Sequence, residues 1–266
     1  MSRTPPRPID VATFALAHAA DRRGHAAAYE RLHARGELIR GAWFWRWLLD
    51  RLDAPPGARL LDVACGDGAL IEAASARGLR AVGVDRSAAA LRAAARSPRR
   101  AVPVAARPAL VCADGEGLPF PDAAFDVVTS IGSLEHYVDP RVGAAELARV
   151  LGPRGRALVL LPNAFGLRGP VLHAWRRGEL IDDGQPIQRY AARRQWQRLL
   201  EAGGLAVAAV LGCESLAADP SRPAAWLGAL RHPSRVLSLV HDRLPVDMAV
   251  ELVFVCRKPS PRAGDG

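Results

Sequence analysis

Lysine is almost missing: of the 36 basic residues in this chain of 266, only Lys258 is a lysine. The arginines that stand in its place are spread along the chain, as at Arg22-Arg23, Arg92, Arg99-Arg100, Arg176-Arg177 and Arg193-Arg194, and are interleaved with acids. A footprint for nucleic-acid phosphates needs clustered charge, so the net charge of +9 reads as a solvated basic surface and nucleic acid is set aside as a partner. Cysteine is scarce and dispersed. Cys65, Cys112, Cys213 and Cys256 lie far apart in apolar runs, which excludes paired zinc-ligand spacing and argues against disulfides. A long hydrophobic run is lacking too, since Val11 to Ala20 contains His18 and is too short to span a bilayer. A cytoplasmic protein with one large core is expected, and no metal is implied.

What is present is an alternation of apolar runs and helical segments. Residues 59 to 65, 80 to 85, 109 to 113, 125 to 131 and 155 to 162 read as strands, and 68 to 78, 87 to 97, 140 to 151 and 191 to 203 as helices. That rhythm predicts an α/β fold, a Rossmann-like doubly wound sheet with helices on both faces. Before it, 9 to 22 and 25 to 52 read as helices, stopped at Pro55-Pro56-Gly57. Residues 205 to 212 and 248 to 257 read as closing strands. The expected divisions are an N-terminal helical cap (1–57), a core (58–162), an insertion covering an acceptor site (163–190), a completion of the sheet (191–258) with its own insertion (214–246), and a tail (259–266).

Three of the strands end in acids. Leu60-Leu61-Asp62-Val63-Ala64-Cys65-Gly66-Asp67-Gly68 stops an apolar run at two glycines, Val82-Gly83-Val84-Asp85 stops a second at a carboxylate, and Leu110-Val111-Cys112-Ala113-Asp114 stops a third. In a doubly wound sheet ligands bind beyond the carboxyl ends of the strands, which places these acids in one crevice. Gly66 and Gly68 let backbone approach a ligand before a helix whose first amides receive an anionic group. Asp85 is placed to accept hydrogen bonds from ribose hydroxyls, and Asp114 from an adenine amino group. Taken singly, any of these acids is also an ordinary helix cap or turn residue. A nicotinamide enzyme would carry a third glycine where Ile71 stands, and Asp62 and Asp67 suit an ammonium better than a pyrophosphate.

The segments Asp62 to Gly68, Gly83 to Ser87, Asp114 to Asp122, Phe125 to Val128, Ser133 to His136 and Arg149 to Arg156 together resemble class I S-adenosylmethionine-dependent methyltransferases, with the nearest likeness to the type 11 group that includes quinone-pathway enzymes. The likeness runs in order and spacing from about Arg59 to Pro162. It implies a seven-stranded sheet, mostly parallel, with one antiparallel strand supplied by Met248 to Cys256. It also implies S-adenosyl-L-methionine as cofactor: Asp62, Ala64, Cys65, Gly66 and Gly68 around the methionyl part, Asp85 and Arg86 at the ribose, Asp114, Gly115 and Glu116 at the adenine edge, and Ser130 and Ile131 lining the site through backbone. One departure stands out. Many members have glycine where this chain has Ala64, and an alanine is compatible there if its φ avoids positive values.

Methyl transfer from a sulfonium is an in-line displacement that rests on alignment and exclusion of water, and a base is needed only if the acceptor carries a proton. His136, beside Glu135 after the fourth strand, is the candidate base, with capping or packing as its plain alternative. His33 and His173 are weaker candidates. Asn163, Gln185, Arg189 and Tyr190 are the insertion residues placed for an acceptor. Trp43, Phe44, Trp45 and Trp47 read as a packing face or as the wall of an apolar acceptor pocket with Tyr29, His33 and Arg40. Residues 224 to 244 read as amphipathic helices that pack on the sheet, join a homodimer or touch a lipid surface. The expectation is transfer of a methyl group to a small or lipid-linked molecule, at oxygen, by a monomer or homodimer. The alternatives are a non-catalytic S-adenosylmethionine-binding partner and an NAD-dependent reductase.

Overall fold

The structure, a computed structural model, describes residues 40–97, 108–179, 181, 185–214 and 245–259, together with the backbone of 12–15. Its strands are β1 (Ala12–Ala15), β2 (Arg59–Val63), β3 (Arg80–Asp85), β4 (Ala109–Cys112), β5 (Phe125–Ile131), β6 (Leu151–Pro162), β7 (Ile187–Tyr190), β8 (Ala206–Cys213) and β9 (Glu251–Arg257). Its helices are α1 (Ala42–Leu52), α2 (Ala69–Ser75), α3 (Ala88–Arg96), α4 (Pro140–Val150), α5 (Leu172–Arg177) and α6 (Arg193–Ala202).

Successive side chains of a strand face opposite ways, so a run apolar at every position needs cover on both sides. Leu60, Val127, Leu158 and Leu160 point into a core shared with Phe44, Leu48 and Leu52 of α1 and Leu70, Ile71 and Ala74 of α2. Their neighbours Leu61, Val128, Val159 and Leu161 point into a second core with Ala144 and Leu147 of α4 and Trp196, Leu199 and Leu200 of α6. The result is a seven-stranded sheet in the order β4-β3-β2-β5-β6-β9-β8. Its first five strands are parallel, and β9 runs antiparallel to both β6 and β8. The chain order reverses between β2 and β5, where neighbouring strand tips leave a crevice.

The expected doubly wound sheet is therefore present, with β9 as the antiparallel strand and β8 as its edge neighbour. Several boundaries differ: the closing strand expected over 248–257 begins at Glu251, after a 3-10 turn at Val246–Met248, and the helix expected over 68–78 ends at Ser75. The expected helix over 9–22 is wrong: Ala12–Ala15 is a strand, paired antiparallel with Ile187–Tyr190 in a small separate sheet. A short apolar run is ambiguous between helix and strand, and the distant partner strand Ile187–Tyr190 decided it. The expected helix over 25–52 is described only from α1 onward, opening at Gly41, whose extended backbone (φ −68°, ψ 149°) starts it. β6 begins at Leu151 rather than 155, with an irregular register opposite Phe125 that accommodates the Gly152-Pro153 pair.

Candidate functional site

Asp62, Asp85 and Asp114 stand at the tips of adjacent strands on one edge of the sheet. Asp62 lies next to last in β2, paired across to Gly83 of β3 and Thr129 of β5. It is 4% exposed, and the Thr129 hydroxyl donates to its carboxylate at 2.7 Å. Burial pushes its pKa up to about 7; the Thr129 bond opposes that shift, while the charges of Asp85 and Asp67 add to it. A carboxyl so placed favours a cation that arrives in the crevice and shares its site.

Beyond Val63 the chain turns through Ala64 to Gly68. Ala64 has φ of +61°, Gly66 +54° and Gly68 +79°, so three left-handed residues fold five positions back on themselves before α2 begins. The condition set on Ala64 by its side chain is therefore not met: the alanine takes a conformation that L residues avoid. The Cys65 amide bonds the Val84 carbonyl at 2.9 Å and the Gly68 amide bonds that of Cys65 at 2.9 Å. Those pairings hold the strained residue in place. The Cys65 side chain packs toward Gly83, where a Cβ would lie 2.7 Å from its Sγ.

Asp85, the last residue of β3, is 3% exposed and receives two backbone amides, Gly66 at 2.9 Å on Oδ2 and Ser87 at 2.8 Å on Oδ1. One side chain thus ties the glycine turn to the start of α3, which Ser87 caps by accepting from the Ala90 amide at 3.1 Å. A carboxylate has about four acceptor positions, a number that suits hydroxyl donors as well as amides. Asp114 accepts from the Glu116 amide at 3.0 Å, and Arg86 stands 3.9 Å from its other oxygen. Gly115 is buried and the Glu116 carboxylate accepts the Asp139 amide, which ties this loop to the one after β5. Ser130 and Ile131 end β5 beside Val63, both buried.

The loop from Asp114 to Asp122 crosses without regular structure, so its backbone groups need other partners. Arg149 and Glu146 of α4 supply them. Glu146 accepts from the Leu118 amide at 2.7 Å, and Arg149 donates to the carbonyls of Phe120 at 2.7 Å and Leu118 at 2.9 Å. Paired with each other at 2.7 Å, the two depart in the expected directions: Arg149 lowers the Glu146 pKa and Glu146 raises that of Arg149.

His136 is 6% exposed, in a single 3-10 turn over Leu134–His136. Its Nδ1 lies 2.7 Å from the carbonyl oxygen of Ile187, an acceptor only, so Nδ1 carries the hydrogen. That leaves Nε2, 3.5 Å from Glu135, as the nitrogen able to take a proton. Arg189 donates to the carbonyls of Glu135 at 3.1 Å and Val138 at 3.1 Å and also to that of Tyr137. The strand β7 therefore grips the turn from both sides of the histidine.

Other sequence-stated candidates separate. Asn163 is 1% exposed and serves the backbone: its amide nitrogen donates to Asp247 and Ala249 carbonyls at 2.9 and 2.7 Å, and its oxygen accepts from Phe165. Gln185 and Tyr190 are half-buried near β7. His173 is half-buried on α5. Phe44 is fully buried with Trp47 stacked on it at 6.0 Å, so the aromatic group of α1 is a packing face toward the sheet. Arg40 pairs with Glu251 at 3.0 Å and closes on Gly132, where a Cβ would lie 2.9 Å from its guanidinium. Tyr29, His33 and the 224–244 helices lie outside the described residues. Thr129, Tyr137 and Gln188, whose buried side-chain oxygen has no hydrogen-bond partner, are site neighbours that sequence reasoning missed. Only the cross-strand register reveals Thr129.

Among the described residues no three His, Cys, Asp or Glu side chains gather to hold a metal, and no helix is long and apolar enough to cross a membrane.

Residues 61–159 match the type 11 family described as a methyltransferase domain. The chain is 40% identical over 109 residues to the demethylmenaquinone methyltransferase of Corynebacterium urealyticum, covering 41% of this chain and 44% of that one. It is 34% identical over 215 residues to the nocamycin O-methyltransferase of Saccharothrix syringae, covering 78% of this chain and 64% of that one. The matched region thus spans about half the length of these curated relatives. An S-adenosylmethionine-dependent methyltransferase from Mesorhizobium loti shares the fold, with a TM-score of 0.58 at 19% identity over 82% of this chain and 99% of that one. By sheet order and family match, residues 61–159 form a methyltransferase domain similar to the type 11 group of class I S-adenosylmethionine-dependent enzymes.

Proposed function

We propose that the protein transfers the methyl group of S-adenosyl-L-methionine to an oxygen of a small or lipid-linked molecule. The observation that supports this reading is that Asp62, Asp85 and Asp114 lie at or just beyond the carboxyl ends of the neighbouring strands β2, β3 and β4, with the Ala64–Gly68 turn after the first of them. The residues fit the cofactor's chemistry. Asp62, buried and ready to lose a proton, faces the cationic amine; the turn and the start of α2 take the carboxylate. Asp85, a buried acceptor, would meet the ribose hydroxyls, Arg86 would flank them, and the Asp114–Glu116 loop would offer acceptors and amides to the adenine edge. Backbone at Ser130 and Ile131, at the end of β5, would line the site.

In the transfer step the acceptor oxygen forms a bond to the methyl carbon as the sulfonium bond breaks, leaving a neutral thioether. An acceptor hydroxyl must lose its proton, and Nε2 of His136 takes it. The imidazolium so formed is stabilised by Glu135, while the Ile187 carbonyl keeps Nδ1–H in place. The described part of the insertion, with β1 paired on β7, would cover the acceptor, because β7 supplies both the carbonyl and Arg189 that hold the turn around His136.

Relatives support the acceptor class in broad terms: one matched protein is named for an O-methylation and another for a quinone precursor. The experiment is transfer from S-adenosylmethionine labelled in its methyl group to fractionated small-molecule and lipid extracts, followed by identification of the labelled bond. Labelled methyl on oxygen supports the proposal. Label on carbon or nitrogen overturns the oxygen assignment, and cofactor binding without any transfer leaves the binding-partner reading.

A further inference from the structure

The segment between β6 and β7 wears its apolar side chains outward. A surface helix ordinarily lays its apolar stripe on the core and turns its polar face to water. Here a π-helical turn over Leu167–Val171 runs straight into α5, and α5 buries none of its residues. What fastens the segment to the body is glycine, proline and an ion pair. Gly166 and Gly169 press on Val250, where a Cβ would lie 2.7 Å from its Cα and 3.2 Å from its Cγ1; Pro170 is buried, and Arg168 pairs with the buried Glu214 at 2.9 Å.

The side left outside is aromatic and basic. Phe165 is 62% exposed and Trp175 79%, and Val171, one helical turn before Trp175, shares its face. Arg176 and Arg177 follow in the last turn, both exposed and, among the described residues, without an ion-pair partner. Between Phe165 and Arg177 there is no acid; Glu179 lies past Gly178, whose left-handed backbone (φ +74°) ends the helix. Tryptophan, with an apolar body and a polar N–H, settles at the boundary between hydrocarbon and headgroups. Arginine lays its methylene stem along apolar surface while its guanidinium fits a phosphate in bidentate fashion. A second copy of the chain fits poorly, because a twofold contact here would bring Arg176 and Arg177 against their own counterparts.

We propose that this segment is a membrane-docking face whose occupant is an anionic lipid bilayer: Phe165, Val171 and Trp175 enter the headgroup boundary, and Arg176 and Arg177 pair with lipid phosphates. Docking of this kind needs no methyl transfer and stands apart from the proposed function. The same segment leads on to β7, whose Ile187 and Arg189 hold the turn around His136, so the docked face and the grip on the base belong to one stretch of chain.

The test is co-sedimentation with sucrose-loaded vesicles, of phosphatidylcholine alone and of phosphatidylcholine mixed equally with phosphatidylglycerol, for wild type, Trp175→Ala and the double variant Arg176→Ala, Arg177→Ala. Wild type is expected to bind the anionic vesicles at least about tenfold more tightly than the neutral ones, and less so as salt is raised. Trp175→Ala should weaken that binding about tenfold and the arginine variant about 20-fold, with unfolding midpoint and affinity for S-adenosylhomocysteine unchanged. Wild type left in the supernatant with both kinds of vesicle overturns the proposal. Equal binding by wild type and both variants overturns it too, since another surface then meets the lipid. So does a dimer in size-exclusion chromatography that Trp175→Ala dissolves without any vesicle binding, which gives the face to a second copy.

Discussion

Ala64 holds a φ of +61° at the centre of the site, where a Cβ crowds its own carbonyl. The left-handed conformation costs an L residue roughly 1 to 2 kcal/mol, and glycine would give back part of that through its looser unfolded chain. Ala64→Gly should therefore stabilise the protein by about 0.5 to 1 kcal/mol. Chemical denaturation checks it, and an unchanged or lower midpoint would show that the turn holds no strain. Asp62 makes a second expectation at this scale. Its pKa is raised to about 7 by burial, so in the free protein it is protonated below that pH. A raised acid favours the folded state's protonated form, and stability declines as pH climbs from the usual carboxylate range to about 7, then levels. The cofactor's ammonium favours the ionised form instead, so affinity should increase as pH rises from 5.5 to 7.5, by up to about tenfold per unit below 7. Titration of S-adenosylhomocysteine across that range measures it, and a flat profile contradicts the placement of the amine at Asp62.

At the scale of elements, β7 is the piece whose effect on the site is least direct and most testable. Ile187 lends a carbonyl to His136, and Arg189 grips carbonyls on either side of it. Arg189 is thus a positioning residue for the base rather than a group that touches the cofactor. His136→Ala should lower kcat by about 100-fold or more, the usual contribution of a positioned base. Arg189→Ala should lower kcat about tenfold, and both variants should keep the cofactor's dissociation constant within about twofold. Steady-state transfer beside calorimetry separates the two parameters. A weakened cofactor with unchanged kcat would move both residues out of the transfer step. β7 also shows where sequence reasoning stops. The runs at 80–85 and 125–131 were readable to the residue because each is rich in valine and other apolar strand formers and stops at an acid or just before a glycine. The strand at 12–15 was not, because four residues carry no period and their partner lies at the far end of the insertion.

For the whole molecule, sheet order and site are one consequence of topology. Strand tips meet where the chain reverses between β2 and β5, and the acids that sequence spacing singled out fall there. Their common end of the sheet was legible because each follows an apolar run. Its support was not: Thr129 beneath Asp62, Glu146 and Arg149 behind the Asp114 loop, and Tyr137 against Gly115 depend on register and packing that no local pattern carries. The same holds for the acceptor half, where Asn163 had the composition of a binding residue and proves to hold backbone. Binding of an adenosyl cofactor at these strand tips rests first on Asp85. Calorimetric titration of S-adenosylhomocysteine into the wild type and Asp85→Ala measures that directly. Loss of two charge-assisted hydrogen bonds worth roughly 1.5 to 3 kcal/mol each predicts a dissociation constant at least about 100-fold higher in the variant. An equal constant in both proteins, or a wild type that binds NAD and not S-adenosylhomocysteine, contradicts it.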